Sequence, residues 1–339
     1  MPIESDLTID SSRFRPENVT EATKQINSVL KQATANAPQW YEVGAAKYRE
    51  MHASGQLALP APVHLPNAID ATLPSRDSSR EIPIRIYNPD NGQSSKGVFL
   101  HFHGGGFVLG NAKSSDQRLQ MVANGAQLTA ISVGYRHAPE DPYPAAPHDC
   151  IDAAEYLIDH ATEYGTLKFM GGESAGACLA IITALRLLGS RPSHILLGLV
   201  PQYGLLDLSL SLPAIKTATN TLMLRGSALE NFSNAYLPGL SAEERRNPSI
   251  SPLYEDLPAL AAASPNGLPP ALFVCGTADP LVDDTILMHT KWSIAGGEAI
   301  VKLYSGAPHG FTALPGMPVA DEANALGVQF MQEKLEAAA

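Results

Sequence analysis

The sequence predicts an α/β fold, a mostly parallel central sheet flanked by helices on both faces and carrying a helical cap. Three observations lead there. From about residue 80 onward, short strand-like runs alternate with longer segments of helical periodicity, which is the pattern of a parallel sheet covered on both sides. The stretch Ala-Gly-Ala-Cys-Leu-Ala-Ile-Ile-Thr-Ala-Leu-Arg-Leu-Leu at 175–188 is apolar nearly all round, so it must lie buried against that sheet. The interval 205–250 then breaks the rhythm with mixed, partly helical sequence between two sheet strands.

Taken in order, residues 1–55 read as mainly helical, with Val19, Ala22, Ile26, Leu30 and Ala33 forming one stripe at three- and four-residue steps. The Pro-rich stretch 57–69 reads as extended. Period-two alternation marks a strand at 82–89, and 97–105 is a strand entering a glycine loop. A helix over 115–127, a strand over 128–136 and a helix over 145–161 follow. Next come a short strand at 167–172 and the apolar helix, expected to end at Gly189. Strands at 195–203, 271–276 and 299–305 and a closing helix over 319–336 complete the series. That last helix carries Val319, Ala323, Leu326 and Phe330 on one face. The expected organisation is an N-terminal cap segment (1–55), a catalytic α/β domain in two parts (56–204 and 251–339), and a cap insertion (205–250).

Composition narrows the partners. Of 339 residues, 45% are hydrophobic and 17% charged, enough apolar material for a large core. The net charge of −11 argues against nucleic acid or an anionic membrane surface. No basic n-region precedes an apolar stretch at the N-terminus, and the longest apolar runs are too short to span a bilayer. Three widely spaced cysteines without metal-ligand spacing suggest buried free thiols in a reducing, cytoplasmic setting.

The chemistry concentrates in four loop segments. Gly172-Glu173-Ser174-Ala175-Gly176 fits Gly-x-Ser-x-Gly and falls between a predicted strand and a predicted helix. A serine on so sharp a turn is held in a strained conformation with its hydroxyl above the sheet, and the helix N-terminus favours developing negative charge. His103-Gly104-Gly105-Gly106 follows another strand, and its glycines let the backbone approach a ligand closely. The N–H of Ala175, with one or two from this loop, would form an oxyanion hole. A carboxylate and a base should follow in the order Ser, acid, His. Asp279 comes first in the turn after strand 271–276, while its rivals Asp283 and Asp284 fall at the start of a following helix, where carboxylates are ordinarily stabilising. Among ten histidines, His309 alone sits between the last strand and the final helix.

These segments resemble the hormone-sensitive-lipase-like (HGGG-type) esterases of the α/β-hydrolase superfamily, from about residue 80 to the end. The His103–Gly106 run is that family's hallmark, and Gly-Glu-Ser-Ala-Gly is similar to its usual Gly-Asp-Ser-Ala-Gly. Tyr135-Arg136-His137-Ala138-Pro139-Glu140 looks like its Tyr-Arg-x-Ala-Pro-Glu motif, and Asp279-Pro280-Leu281 and His309-Gly310-Phe311 match its acid and base segments. The resemblance implies that Gly105, Gly106 and Ala175 donate to the oxyanion while Gly104 shapes the turn, supported by His103 and Glu173. It also implies a helical cap from the N-terminus and from the 205–250 insertion. Two positions depart from the pattern: Glu173 replaces the commoner Asp, and Ala177 stands where a further Gly is frequent.

The expected protein is therefore a serine carboxylesterase for short- to medium-chain esters, with Ser174, Asp279 and His309 as its triad and neither metal nor cofactor. Phe107, Val108, Leu205, Leu206, Met223 and Leu224 are candidate pocket residues, with core packing as the other reading of each. Amide, carbamate or lactone hydrolysis could use the same triad, since a fold does not choose its reaction. A non-catalytic small-molecule receptor would lack one triad member. A homodimer is possible.

Overall fold

The computed structural model describes residues 7–57, 61–217, 222–224, 226–314 and 316–339. Two short 3-10 turns (Ser11–Phe14 and Pro16–Asn18) lead into helices α1 (Glu21–Thr34), α2 (Trp40–Val43) and α3 (Ala45–Ala53). The α/β body then runs β1 (Ile69–Pro74), β2 (Glu81–Tyr87), β3 (Val98–Phe102), α4 (Asp116–Ala126), β4 (Thr129–Val133), α5 (Ala145–Asp159), α6 (Ala161–Tyr164), β5 (Leu167–Glu173), α7 (Ala175–Ser190) and β6 (Gly198–Gln202). Helices α8 (Pro213–Thr217) and α9 (Gly226–Tyr236) lie in the insertion. The chain closes with α10 (Leu257–Ala263), β7 (Ala271–Gly276), α11 (Val282–Ile294), β8 (Ala299–Tyr304) and α12 (Pro318–Ala337).

The eight strands form one sheet in the order β1-β2-β4-β3-β5-β6-β7-β8. Only the β1–β2 and β2–β4 pairs are antiparallel; the rest are parallel. Register matters more than order for the chemistry. Phe102 pairs with Gly172, Glu173 with Gln202, and Gly276 with Tyr304. The loops that leave β3, β5, β6, β7 and β8 therefore emerge side by side at the carboxyl edge of the sheet, where ligands bind in open α/β folds.

Burial explains why the strands read as they did. Every residue of β3, β4, β6 and β7 is buried, so these strands are apolar without alternation. Helix α7 packs against β5 and α5 and keeps twelve of its sixteen residues buried. Leu179, Ile181 and Leu185 in that helix each contribute on the order of 2 kcal/mol by leaving water. One core fills the α5/α7 side, and a second lies under α4, α12 and Leu30 of α1.

Several expectations need correcting. β1 was not expected as a strand; it is a sheet-edge element, mostly exposed, so burial imposes no apolar alternation on it. Of the extended stretch 57–69, residues 58–60 lie outside the described residues and 61–68 are irregular. Helix α7 runs through Gly189 to Ser190, because Gly189 does not take the left-handed conformation that ends a helix. The helix expected over 145–161 breaks at His160 into α5 and α6. In α1 the buried positions are Thr23 and Leu30, and Ala33 faces solvent. Among the described residues, no helix is long and apolar enough to cross a membrane.

The N-terminal helices and the 205–250 insertion meet. Thr34 of α1 donates to the Leu222 carbonyl, and Trp40 of α2 stacks on Phe232 of α9 at 5.1 Å.

Candidate active site

Ser174 sits at the β5–α7 junction with φ of 55°, a left-handed conformation rare for a residue with a side chain. Its N–H donates to the Gln202 carbonyl, while its own carbonyl accepts from Ala177 and Cys178. The glycines flanking it are required by contact: a Cβ on Gly172 would lie 2.2 Å from the Phe102 carbonyl oxygen, and one on Gly176 would lie 1.9 Å from it. Helix α7 can approach β3 this closely only because both side chains are missing.

Three side chains from three loops form a hydrogen-bonded chain. The Ser174 hydroxyl is 2.9 Å from His309 Nε2, and His309 Nδ1 is 2.8 Å from Asp279 Oδ2. A carboxylate can only accept, so Nδ1 carries the proton and Nε2 is free to accept from the serine. Asp279 is buried, and its other oxygen accepts from the Leu281 N–H. The acid and base loops are fastened together: Thr277 accepts from the Gly306 N–H, and the Ala278 N–H donates to the Ala307 carbonyl. The ring of Tyr203 packs edge-on against His309 at 5.1 Å.

The rival carboxylates have other tasks. Asp284 accepts from the N–H groups of Leu206 and Asp207, and Asp283 from that of Ala214. Both pin the start of the insertion to α11, and burial pushes the Asp284 carboxyl well above its ordinary range.

Opposite Ser174 runs the glycine loop. Gly105, Gly106 and Phe107 are successive left-handed residues, with φ of 118°, 62° and 62°. Such a run holds backbone strain of order 1–3 kcal/mol at Phe107 alone, and persists only where surroundings fix it. A Cβ on Gly104 would come within 3.6 Å of the Ser174 Cβ, so the loop passes directly over Ser174. The N–H groups of Gly105, Gly106 and Ala175 donate to no backbone or side-chain acceptor among the described residues. His103 turns inward, with Nδ1 on the Gly104 carbonyl and its ring stacked on Tyr135, whose hydroxyl donates to the His103 carbonyl. Burial holds the His103 imidazole down to about 3, so it stays neutral.

Glu173 faces away from Ser174 into a buried polar network. It accepts from Arg118 and from His101 Nε2 at 2.9 Å. Arg118 also reaches Gln202, which accepts from Thr312, itself bonded to the Tyr203 hydroxyl at 2.5 Å. Burial raises the Glu173 carboxyl, but Arg118 and His101 outweigh it and bring it to about 2.

The candidate pocket residues are mostly packed. Phe107, Val108, Leu205, Leu206 and Leu224 are buried, Phe107 face to face with Tyr236 at 3.9 Å; Met223 is half-buried. Phe232 escaped sequence reasoning, yet its ring lies where a Cβ on Gly106 would go, 2.3 Å away, with Trp40 behind it. No local pattern marks either residue, because they lie far apart in the chain, in α2 and α9. A cavity of about 250 Å³ between the N-terminal segment and β8, lined by Arg13, His289 and Tyr304 among others, is not lined by Ser174, Asp279 or His309. Among the described residues no group of three or more His, Cys, Asp or Glu could hold a metal ion.

A serine at a strand–helix elbow, with Asp and His following it in chain order and bonded to it, fits a class of fold that comparison with known proteins also shows. The chain belongs to the α/β-hydrolase-fold family, which matches residues 99–313. The acetyl esterase of Salmonella choleraesuis (strain SC-B67) is 29% identical over 264 residues, 76% of this chain and 77% of that protein. An esterase from the archaeon Pyrobaculum calidifontis superposes with a TM-score of 0.78 at 26% identity, over 93% of this chain and 98% of its own. A bacterial hormone-sensitive-lipase-family esterase does so with 0.75 at 23%, over 93% and 99%, a likeness of fold.

Proposed function

We propose that this protein is a carboxylic ester hydrolase that works through an acyl-enzyme on Ser174, with esters of short to medium acyl chains as substrates. The observation that carries the reading is the unbroken chain Ser174–His309–Asp279, at 2.9 and 2.8 Å. His309 takes the hydroxyl proton as Ser174 attacks the ester carbonyl, then returns it to the leaving alkoxide; water repeats the cycle on the acyl-enzyme. Asp279 holds the tautomer that leaves Nε2 free and stabilises the imidazolium. The free N–H groups of Gly105, Gly106 and Ala175 receive the oxyanion, each contributing roughly 10²–10³ in rate.

The acetyl esterase likeness and the Phe232 ring over Gly106 both favour small acyl groups. The acidic balance favours a neutral small-molecule ester over nucleic acid or an anionic membrane, and three buried free cysteines favour the cytoplasm. The test is hydrolysis of p-nitrophenyl esters of graded length. Ser174→Ala should abolish turnover, and Asp279→Asn should lower kcat by about 10⁴. Asp283→Asn should leave kcat within about threefold. Turnover by the Ser174→Ala variant, or the larger loss at position 283, refutes the assignment.

A further inference from the structure

We infer that Arg49, on the N-terminal cap helix α3, is a positioning residue for the oxyanion loop, so that cap docking and transition-state stabilisation are one structural event. The inference rests on the reading that Gly105 and Gly106 receive the oxyanion.

The guanidinium spans three acceptors on two loops. Its Nε donates to the Val108 carbonyl at 2.8 Å, its Nη2 to the Ala138 carbonyl at 3.2 Å, and its Nη1 and Nη2 form a fork on the Glu140 carboxylate at 3.1 and 2.8 Å. Val108 follows directly on the left-handed run Gly105–Phe107, and its own N–H donates back to the Gly105 carbonyl. Ala138 is tied to the same loop through its N–H, which donates to the Phe107 carbonyl at 2.9 Å. Arg49 thus closes a ring: loop 105–108, the 138–140 segment, and α3. On one side the strained run packs on Phe232 and Tyr236 of α9, and the Val108 and Leu109 N–H groups both close on the Gly105 carbonyl; the bonds through Arg49 fix its other side, and with it where the two N–H groups point. A planar fork with several donors is needed for such a span; a lysine ammonium reaches the carboxylate or a carbonyl but cannot hold all three. Ion pairing alone would be a weak reason to keep this residue, because Glu140 is substantially exposed.

The test compares Arg49→Lys, Arg49→Ala and Glu140→Gln in the full chain on p-nitrophenyl acetate. Both Arg49 variants should lose kcat and kcat/KM together, by about tenfold to a hundredfold, the range expected when donors remain but are misplaced. KM should stay within about twofold. A methyl trifluoromethyl ketone should show the same fold rise in Ki: Ser174 Oγ bonds to its carbonyl carbon, the hydroxyl proton passes to His309, and the carbonyl oxygen becomes the bound oxyanion. Glu140→Gln should stay within about threefold in all three quantities. Retention of kcat by both Arg49 variants, a rise in KM alone, or equal losses in Glu140→Gln would overturn the inference. Should Arg49→Ala fail to fold, Arg49→Lys carries the test, with its urea midpoint measured beside the kinetics. Activity surviving in Ser174→Ala would instead sink the parent reading, whatever Arg49 does.

Discussion

Replacing Glu173 by Gln probes how Ser174 is held from below. The carboxylate lies beside Ser174 in sequence but points into the buried network, accepting from Arg118 and His101. Its pKa falls from an ordinary 4.5 to about 2. Multiplying that drop of about 2.5 by about 1.36 kcal/mol gives about 3 kcal/mol of stabilisation at neutral pH. An independent route agrees: removing one partner of a buried ion pair costs about 3–5 kcal/mol, because Arg118 is left as an uncompensated charge. The sign follows from the direction. A carboxyl depressed in the fold stabilises fully above about pH 4.5 and loses that contribution as pH falls toward 2. Urea unfolding at pH 7 should therefore show Glu173→Gln less stable than the parent by about 3 kcal/mol, with the gap narrowing steadily below about pH 4.5. A gap under about 1 kcal/mol at pH 7, or one that does not narrow in acid, refutes the argument that this ion pair supports the elbow.

Other outcomes follow from single contacts. Gly106→Ala drives a Cβ to within 2.3 Å of the Phe232 ring at a φ of 62°, so kcat should fall by about 10² or more; combining it with Phe232→Ala, which empties that space, should recover part of the loss in the same ester assay. Cys150, Cys178 and Cys275 are buried and free, and burial raises each thiol, so the native protein should resist iodoacetamide at pH 8 and react at three sites only in denaturant. A single rapid label on the native protein, found by mass spectrometry, would contradict that burial.

What could be read from the sequence was local in its causes. The strand–turn–helix around Ser174 follows from two glycines whose absent side chains permit a close approach, and from an apolar run fit only for burial. The buried strands were legible because burial on both faces leaves no alternation. The order Ser, Asp, His, with each residue just past a strand, was enough to single out the three side chains that lie together. The choice of Asp279 over Asp283 and Asp284 drew on the same local logic, since helix starts attract carboxylates for structural reasons.

The rest was decided by contacts between residues far apart in the chain. Strand β1 escaped notice because an exposed edge strand is under no pressure to alternate, and nothing local announces that β4 lies between β2 and β3. Glu173 finds Arg118 across 55 residues, Phe232 finds Gly106 and Trp40, and Arg49 reaches Val108 and Glu140; each is set by how helices and loops settle on the sheet. Sequence alone thus determined which side chains the loops bring together and the backbone able to present them, since steric permission and periodicity act over a few residues. Only the tertiary structure decided what steadies those groups and what roofs them, because packing partners are chosen by the collapse of the whole chain.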